Sequence, residues 1–412
     1  MVEIWVPYGP VEVYFDIKQE NLSQVLEPQP LALEKEGIES RLDSVSADTL
    51  LLLSGSAGCV KTLDTLLTRN KGVRKLLYPK NLGTLARRKA QEFAIESDQL
   101  NEQALEQSGV VDGSPVSVPL QVKSSQRLVL LTSIHYDPMY GLTSAASDLL
   151  SCAGTLKAEA FNRCIDDLPC KSQFSSAASD YAIRVMQTCQ SADTIEIVER
   201  ASGSVLNLFY GDIESVHSQI ISYWTGNLGV RHSSRAERIV FGCGGQEGDR
   251  TLSKALSRSF FNVITNLALD DSRICILAEC TQGLGSEALL RYATGRFVPG
   301  SKLDAIDYFD GVEILLSLLK IQRDHNLNVN LVSTLPRYFV ERFGFKPLSA
   351  ASDAPSSVVQ IGSRAKILVV PDGSSIAFGV GETPQETAQA TSVAVKSPPS
   401  SQPPAPSSPA AE

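Results

Sequence analysis

The sequence predicts an α/β protein with two α/β domains, mostly parallel sheets, an interdomain cleft and a disordered C-terminal tail. Short apolar runs alternate with stretches of helical period along most of the chain, which is typical of βαβ units. The chain has 412 residues, more than a single hydrophobic core usually serves. From Glu382 onward it consists mainly of Pro, Ser, Ala, Gln and Thr. Such a segment buries too little apolar surface to offset its ordering entropy.

The order of the elements sets the predicted domains. Strands are predicted at residues 49–53, 128–131, 194–198, 238–241, 274–278, 329–332 and 366–370. Helices are predicted at residues 62–77, 145–164, 252–267, 311–322 and 338–343. The alternation resumes after residues 226–234, which we predict to be a hinge. The predicted domains are therefore residues 1–229 and 231–381, followed by a tail at 382–412.

Composition and charge exclude several classes of protein. The net charge of −9 is opposite to the basic footprint of a nucleic-acid-binding protein. No apolar run reaches the roughly 20 residues that span a bilayer, and the first residues lack a basic segment followed by an apolar one. None of the eight cysteines forms a Cys-x-x-Cys pair. We therefore expect reduced thiols, a cytoplasmic location, and neither a nucleic-acid nor a membrane partner. The oligomeric state stays open.

A degenerate phosphate-binding loop follows the first predicted strand of the first domain. Residues 54–62 match the Gly-x-x-x-x-Gly-Lys-Thr pattern except that Val60 replaces the second glycine. A β-branched residue resists the positive φ angles that such a loop needs to wrap its amides around phosphate. We expect a simple strand-to-helix turn, and nucleotide binding at residues 54–62 is kept as an alternative function.

Several blocks of sequence together resemble one enzyme family. These blocks are Val-Glu-Ile-Trp-Val-Pro-Tyr-Gly at residues 2–9, the segment 135–141, Gly-Asp-Ile-Glu-Ser-Val-His at 211–217, the pair Gly244 and Gly245, and Pro-Asp-Gly at 371–373. The sequence resembles the LarA-type nickel-dependent lactate racemases. The resemblance implies two α/β domains around a cleft. It also implies racemisation of a small 2-hydroxy acid by a nickel-pincer nucleotide, with two histidines as acid–base partners.

The resemblance carries only one of the family's chemical residues to this chain. His135 matches one acid–base histidine, so it is the catalytic candidate. Ser147 stands near the family's cofactor-tethering lysine, Arg163 stands near its nickel-binding histidine, and residues 71–119 hold no histidine for the second acid–base role. We therefore expect no bound cofactor and no metal ligands. His217 is expected to be structural, and His232 and His325 are expected to lie on the surface.

Five residues are candidates for binding an anionic ligand. Lys61 could supply a positive charge where the family has an arginine, and Tyr136 adjoins His135. Gly244 and Gly245 form a turn before a helix, where backbone amides can accept an anion. Lys254 falls in the family's Tyr-Gln pair, and the family's nearby lysine becomes Ser257 or Arg258.

These assignments lead to one main hypothesis and two alternatives. The main hypothesis is a lactate racemase-like protein without the pincer chemistry, a divergent or non-catalytic member that binds a small 2-hydroxy acid, another anionic ligand or a partner. The first alternative is an active isomerase with altered site residues. The second is the nucleotide-binding protein described above.

Overall fold

The structure, a computed structural model, describes residues 1–27, 35–189, 192–200, 202–232, 234–299, 308–360 and 364–380. The predicted tail at 382–412 lies outside the described residues. The strands are β1 (Val2–Tyr8), β2 (Val11–Ile17), β3 (Leu22–Val25), β4 (Thr49–Leu52), β5 (Lys75–Tyr78), β6 (Glu96–Gln99), β7 (Leu105–Val111), β8 (Ser114–Pro119), β9 (Leu128–Ser133), β10 (Tyr136–Asp137), β11 (Gly141–Leu142), β12 (Ala192–Glu199), β13 (Val205–Gly211), β14 (Gly229–His232), β15 (Ala236–Gly242), β16 (Ala268–Leu277), β17 (Asn328–Val332), β18 (Lys346–Leu348), β19 (Ile367–Val370) and β20 (Ala377–Val380).

The helices connect these strands. They are α1 (Lys35–Asp43), α2 (Ala57–Arg69), α3 (Gly83–Glu92), α4 (Leu120–Lys123), α5 (Ala145–Ser151), α6 (Gly154–Cys164), α7 (Ala177–Gln187), α8 (Ile213–Asn227), α9 (Gly245–Gly248), α10 (Leu252–Ala255), α11 (Phe261–Leu267), α12 (Glu287–Ala293), α13 (Val312–His325), α14 (Arg337–Arg342) and α15 (Ala354–Val358). In the described part of the chain, no helix has both the length and the apolar character needed to cross a membrane.

Two six-stranded sheets organise the described part of the chain. The first has the order β13-β12-β9-β4-β5-β6 and is parallel except for β13, which runs antiparallel to β12. The second has the order β18-β17-β16-β15-β19-β3 and is parallel throughout. We call the first sheet with its covering helices the first unit, and the second sheet with its covering helices the second unit. The predicted α/β class with mostly parallel sheets is confirmed.

The first sheet is covered on both faces, as its continuous apolar strands require. Alternate residues of β4 separate into two cores: Leu50 and Leu52 pack with α2 and α3, whereas Leu51 packs toward α5 and α7. All six residues of β9 are buried. Burial of β9 on both faces fixes the position of its carboxyl end, where the chain turns toward the second unit.

The second unit is built from both ends of the chain. Strand β3 pairs in parallel with β19, and the β1–β2 hairpin packs on the second sheet through Ile4, Val6, Phe15 and Ile17. Residues 1–27, which the sequence prediction placed with residues 28–229, thus lie in the second unit. The predicted hinge region contains β14, which pairs with β20.

The two units pack directly against each other. One hydrophobic cluster includes Tyr136 and Met139 of the first unit together with Phe260 and Phe261 of the second. Strand β10 contacts residues 256–260 of the second unit. The segment that follows β9 is therefore placed against a helix of the other unit.

Candidate functional site

His135 follows β9 at the carboxyl edge of the first sheet, where open α/β sheets place their ligand sites. Its backbone N–H donates to Thr143 Oγ1 at 3.0 Å, and its carbonyl accepts from the Thr143 N–H at 2.8 Å. The ring Nδ1 lies 3.2 Å from the Ser133 carbonyl oxygen. Because a carbonyl only accepts, Nδ1 carries the proton and Nε2 keeps its lone pair. The imidazole is therefore oriented with an acceptor nitrogen to offer.

The charges of two cations of the second unit act on this imidazole. Burial, followed by the charges of Arg258 and Lys254, holds the pKa of His135 well below its usual range. At neutral pH the ring is consequently uncharged. The charges of Lys254, a predicted binding residue, and of Arg258 thus reach the predicted catalytic residue His135, and the roles of His135 and Lys254 stay predictions.

Lys254 and Arg258 lie on one irregular helix. Residues 256–260 form a π-helical turn between α10 and α11, and Thr251 caps the start through a hydrogen bond from the Lys254 N–H at 3.2 Å. Single π turns within helices occur frequently at functional sites. The π turn, which includes Arg258, contacts β10, and β10 directly follows His135.

Two carboxyl groups lie at the first turn of α5, Asp148 within the turn and Glu196 on the neighbouring strand β12. Thr132 Oγ1 donates to the Asp148 carboxylate, and Glu196 Oε1 accepts from the Ala145 N–H at 2.8 Å. Burial raises the pKa of Asp148 to about 7, although Thr132 and Arg258 both oppose the shift. Burial raises the pKa of Glu196 to about 8. Both groups thus titrate near neutral pH.

The other predicted binding residues occupy different surroundings. Tyr136 is buried in the core that joins the two units, and its hydroxyl donates to the Cys170 carbonyl at 3.2 Å. Lys61 is exposed on α2. No contact joins Tyr136 or Lys61 to His135 among the hydrogen bonds and ion pairs of the described residues, and their binding roles stay predictions.

The loop at residues 54–62 is satisfied by the protein's own groups. The Gly58 N–H donates to Glu199 Oε2 at 2.8 Å, and the Cys59 N–H donates to Ser56 Oγ at 3.2 Å. A Cβ atom at Gly58 would lie 2.2 Å from that same Glu199 oxygen. A buried carboxylate therefore occupies an amide that a phosphate would need, which disfavours nucleotide binding.

Gly244 and Gly245 allow close approach between segments of the second unit. Their φ angles are 84° and 62°, and a Cβ at Gly244 would lie 2.1 Å from Ser374 Oγ. A Cβ at Gly245 would lie 3.1 Å from the Gly9 carbonyl oxygen. The contacts with Ser374 and Gly9 explain the glycines without a ligand. The predicted anion-accepting role of the pair stays a prediction.

The remaining histidines lie elsewhere. His217 is buried in α8. His325 is partly exposed, with Nδ1 2.7 Å from Asp270 Oδ1. The expectation that His232 lies on the surface is wrong: it is buried in β14 and packs edge-to-face on Phe378 at 6.3 Å. Within the described ranges, no three His, Cys, Asp or Glu side chains converge as a metal site would require.

Two residues of the site had signals that the sequence prediction did not use. Glu196 is a lone charged residue in the apolar run from Ile195 to Val198, and a charge inside a buried strand often marks function. Arg258 stands four residues after Lys254, a spacing that places two cations on one helical face. Neither signal reveals that the charge of Arg258 reaches His135, since that relation arises only when the two units pack.

Comparison with solved structures identifies the architecture. The lactate racemase apoprotein from Thermoanaerobacterium thermosaccharolyticum matches with a TM-score of 0.71 over 92% of this chain and 100% of that chain, at 16% sequence identity. The chain has a lactate-racemase-like fold. A Thermotoga maritima protein solved by a structural genomics consortium matches with a TM-score of 0.56 and 11% identity, covering 86% of this chain and 100% of that chain.

The likeness is one of fold. No protein-family model matches the sequence, and no curated protein matches it significantly. At 16% identity the LarA-like architecture is shared while side chains at corresponding positions differ widely. The activity must therefore be argued from the residues at the interface of the two units.

Proposed function

We propose that this LarA-like chain binds a small 2-hydroxy carboxylate between its two units and has lost the pincer-dependent racemisation. The observation that carries the proposal is the contact of β10, which directly follows His135, with the π-helical turn that contains Arg258. The charges of Arg258 and Lys254 consequently act on the neutral His135 imidazole. A carboxylate placed between the imidazole and these residues would be attracted by both positive charges. The proposal extends the predicted binding roles of His135 and Lys254 and adds Arg258.

The residue types suit this ligand. An arginine guanidinium binds a carboxylate through two parallel hydrogen bonds, and lysine contributes a point charge. The His135 Nε2 lone pair would accept a hydrogen bond from the hydroxyl group on C2, since Nδ1 carries the ring proton. In a partly buried site each of these interactions is stronger than in bulk water.

The nickel-pincer nucleotide does not fit the residues at its expected anchoring points. Ser147 is buried, and its Oγ donates to the Ser144 carbonyl at 2.9 Å as part of the cap of α5. The Arg163 guanidinium pairs with Asp112 at 2.7 Å and stacks 4.2 Å over the Tyr181 ring. A serine hydroxyl that caps a helix and a cation cannot tether the nucleotide or ligate nickel.

The test is ligand-dependent thermal stability. D-lactate and L-lactate at millimolar concentration are expected to raise the melting temperature of the wild-type protein. Arg258→Gln should abolish the rise, whereas Arg323→Gln on the exposed face of α13 should keep it. Chiral chromatography should show no interconversion of the enantiomers.

Two results would contradict the proposal. If neither lactate enantiomer nor glycolate stabilises the wild-type protein, the interface has no hydroxy-acid site. If the enantiomers interconvert and Arg258→Gln stops the conversion, the chain is an active isomerase with altered site residues.

A further inference from the structure

The β1–β2 hairpin carries two aromatic rings on the face turned away from the second sheet. Alternate residues such as Ile4 and Phe15 are buried on that sheet, so the residues between them point outward. On the outer face Trp5 of β1 lies directly opposite Tyr14 of β2. Their ring centroids are 5.1 Å apart with the planes inclined by 39°, and the two residues are 50% and 51% exposed. This aromatic pair is therefore open to solvent.

Carboxylates flank the aromatic pair on both sides. Glu3 lies opposite Asp16 on one side of the rings, and Glu12 lies opposite Pro7 on the other. All three acidic residues are exposed, and Lys18, just beyond β2, offsets only one of their charges. Like charges directly opposite each other destabilise a strand pair, so hairpin stability does not explain Glu3 and Asp16. The face suits an apolar ligand that has a basic residue beside it.

The carboxyl-terminal sequence contains a segment with this chemistry. Residues 396–406, the Pro-rich segment, have the sequence Lys-Ser-Pro-Pro-Ser-Ser-Gln-Pro-Pro-Ala-Pro, in which five of eleven residues are proline. Lys396 is the sole basic residue of the tail at 382–412. Pro-rich sequences bind aromatic surfaces well because proline fixes φ in advance, so little conformational entropy is lost on binding. The segment therefore complements the hairpin in both polarity and charge.

We propose that the aromatic pair of Trp5 and Tyr14 is a docking surface for the Pro-rich segment of the same chain. Its prolines lie on the two rings, and the Lys396 ammonium group lies beside the carboxylates of Glu3 and Asp16. The contact is separate from the proposed ligand site between the units, and the inference does not depend on that site.

The length of the connecting chain allows this contact. The Pro-rich segment lies beyond the described residues, which end with β20 at Val380, and Lys396 stands 16 residues later. An extended connection of that length reaches about 53–58 Å. A compact protein of this size has a radius of gyration of about 20 Å. A short tether gives an effective concentration on the order of 1 mM, so a weak contact suffices for docking within one chain.

Tryptophan fluorescence of the full chain measures the contact. The chain has two tryptophans, and Trp224 is 2% exposed, so quenching by acrylamide reports mainly on Trp5. Replacing all five prolines of the Pro-rich segment by serine should raise the quenching constant about twofold, because the tethered segment no longer covers the ring. Pro384→Ser, in the tail but outside the segment, is the matched control and should leave the quenching constant unchanged.

Charge reversal tests the position of Lys396. Asp16→Lys and Lys396→Glu should each raise the quenching constant of Trp5. The double variant should restore the wild-type value, because it rebuilds a pair of opposite charges. Asp16→Lys also removes the repulsion with Glu3, so the hairpin should stay folded. Asp324→Lys on the exposed face of α13 is the control and should leave the quenching constant unchanged.

A synthetic peptide of residues 396–406 tests the surface independently of the tether. Added to the five-proline variant of the full chain, the peptide should lower the quenching constant to the wild-type value. Tyr14→Ser in the same background keeps Trp5 as the reporter. It should bind the peptide about tenfold more weakly, because one of the two aromatic rings is lost.

Three results would overturn the inference. Equal quenching of the wild-type protein and the five-proline variant would show that the segment does not cover Trp5. If the double variant quenches as strongly as Asp16→Lys alone, Lys396 does not lie beside Asp16. If quenching of the wild-type protein rises on dilution, the segment comes from a second copy, which contradicts docking within one chain.

Discussion

The ammonium group of Lys157 lies 3.2 Å from a carboxylate oxygen of Glu313, which joins α6 of the first unit to α13 of the second. The Glu313 side chain is 3% exposed and that of Lys157 is 16% exposed. The Tyr308 ring lies 5.2 Å from the ammonium nitrogen. The charge of Glu313 raises the pKa of Lys157 well above its usual range despite burial. An ion pair this enclosed fixes how the two units meet.

Breaking this buried ion pair should destabilise the protein more than breaking an exposed ion pair does. Lys157→Met leaves Glu313 as a buried, unpaired charge, and we expect the free energy of unfolding to fall by about 3–5 kcal/mol. Urea unfolding measures this change. The exposed pair of Arg337 and Glu341 is the control, and Arg337→Met should cost less than about 1 kcal/mol. Equal losses of unfolding free energy for the two variants would show that the interface pair contributes no more to stability than an exposed pair.

Stability should fall as the pH rises through neutrality. Burial raises the pKa of Glu196 from 4.5 to about 8 and that of Asp148 from 3.8 to about 7. A carboxyl group with a raised pKa contributes stability that is fully present below its unfolded pKa and is lost as the pH rises through its folded pKa. The melting temperature should therefore be lower at pH 8.5 than at pH 6.5.

Glu196→Gln isolates the contribution of the Glu196 carboxyl group. Because glutamine does not ionise, the variant should show a smaller drop in melting temperature between pH 6.5 and 8.5 than the wild-type protein. The measurement stays above pH 6.5 because the lowered pKa of His135 adds an opposite dependence at more acidic pH. If the melting temperature of Glu196→Gln falls as much between pH 6.5 and 8.5 as that of the wild-type protein, Glu196 is not the source of the pH dependence.

Two glycines with similar backbone angles should respond differently to alanine. Gly244 has a φ angle of 84°, and a Cβ atom added there would lie 2.1 Å from Ser374 Oγ. Gly283 has a φ angle of 80°, and a Cβ atom added there would have no atom within 4 Å. Gly283→Ala should cost about 1 kcal/mol through its backbone alone. Gly244→Ala adds a steric conflict of about 1–3 kcal/mol. Thermal unfolding compares them, and equal losses would contradict the close packing at Gly244.

The alternation of apolar runs and helical stretches predicted the fold class because strands buried on both faces appear in the sequence as short apolar runs. Strand β9 (Leu128–Ser133) and strand β17 (Asn328–Val332) lie within one or two residues of their predicted positions. Strand β5 was missed, and its residues were read as the end of a helix. The helix ends at Arg69, after which Asn70 Oδ1 accepts from the Gly72 N–H at 2.9 Å and turns the chain.

Features that depend on residues far apart in the sequence could not be predicted from local sequence patterns. His232 stands in a polar stretch, yet pairing of β14 with β20 places it against Phe378. In the same way, His135 was predicted from the sequence, whereas the effect of the Arg258 charge on it depends on segments about 120 positions apart packing together. Local sequence carries no information on either relation.

The pairing of β3 with β19 makes the first unit an insertion within the second, and this has a consequence for synthesis. Strand β3 (Leu22–Val25) leaves the ribosome more than 300 residues before β19 (Ile367–Val370), an interval on the order of tens of seconds at cellular translation rates. For most of that interval, until β15 to β17 have been made, Phe15 and Ile17 lack the sheet that later buries them. The first unit can fold cotranslationally, whereas the second must wait for the far end of the chain, with its amino-terminal hairpin exposed to chaperones and to aggregation.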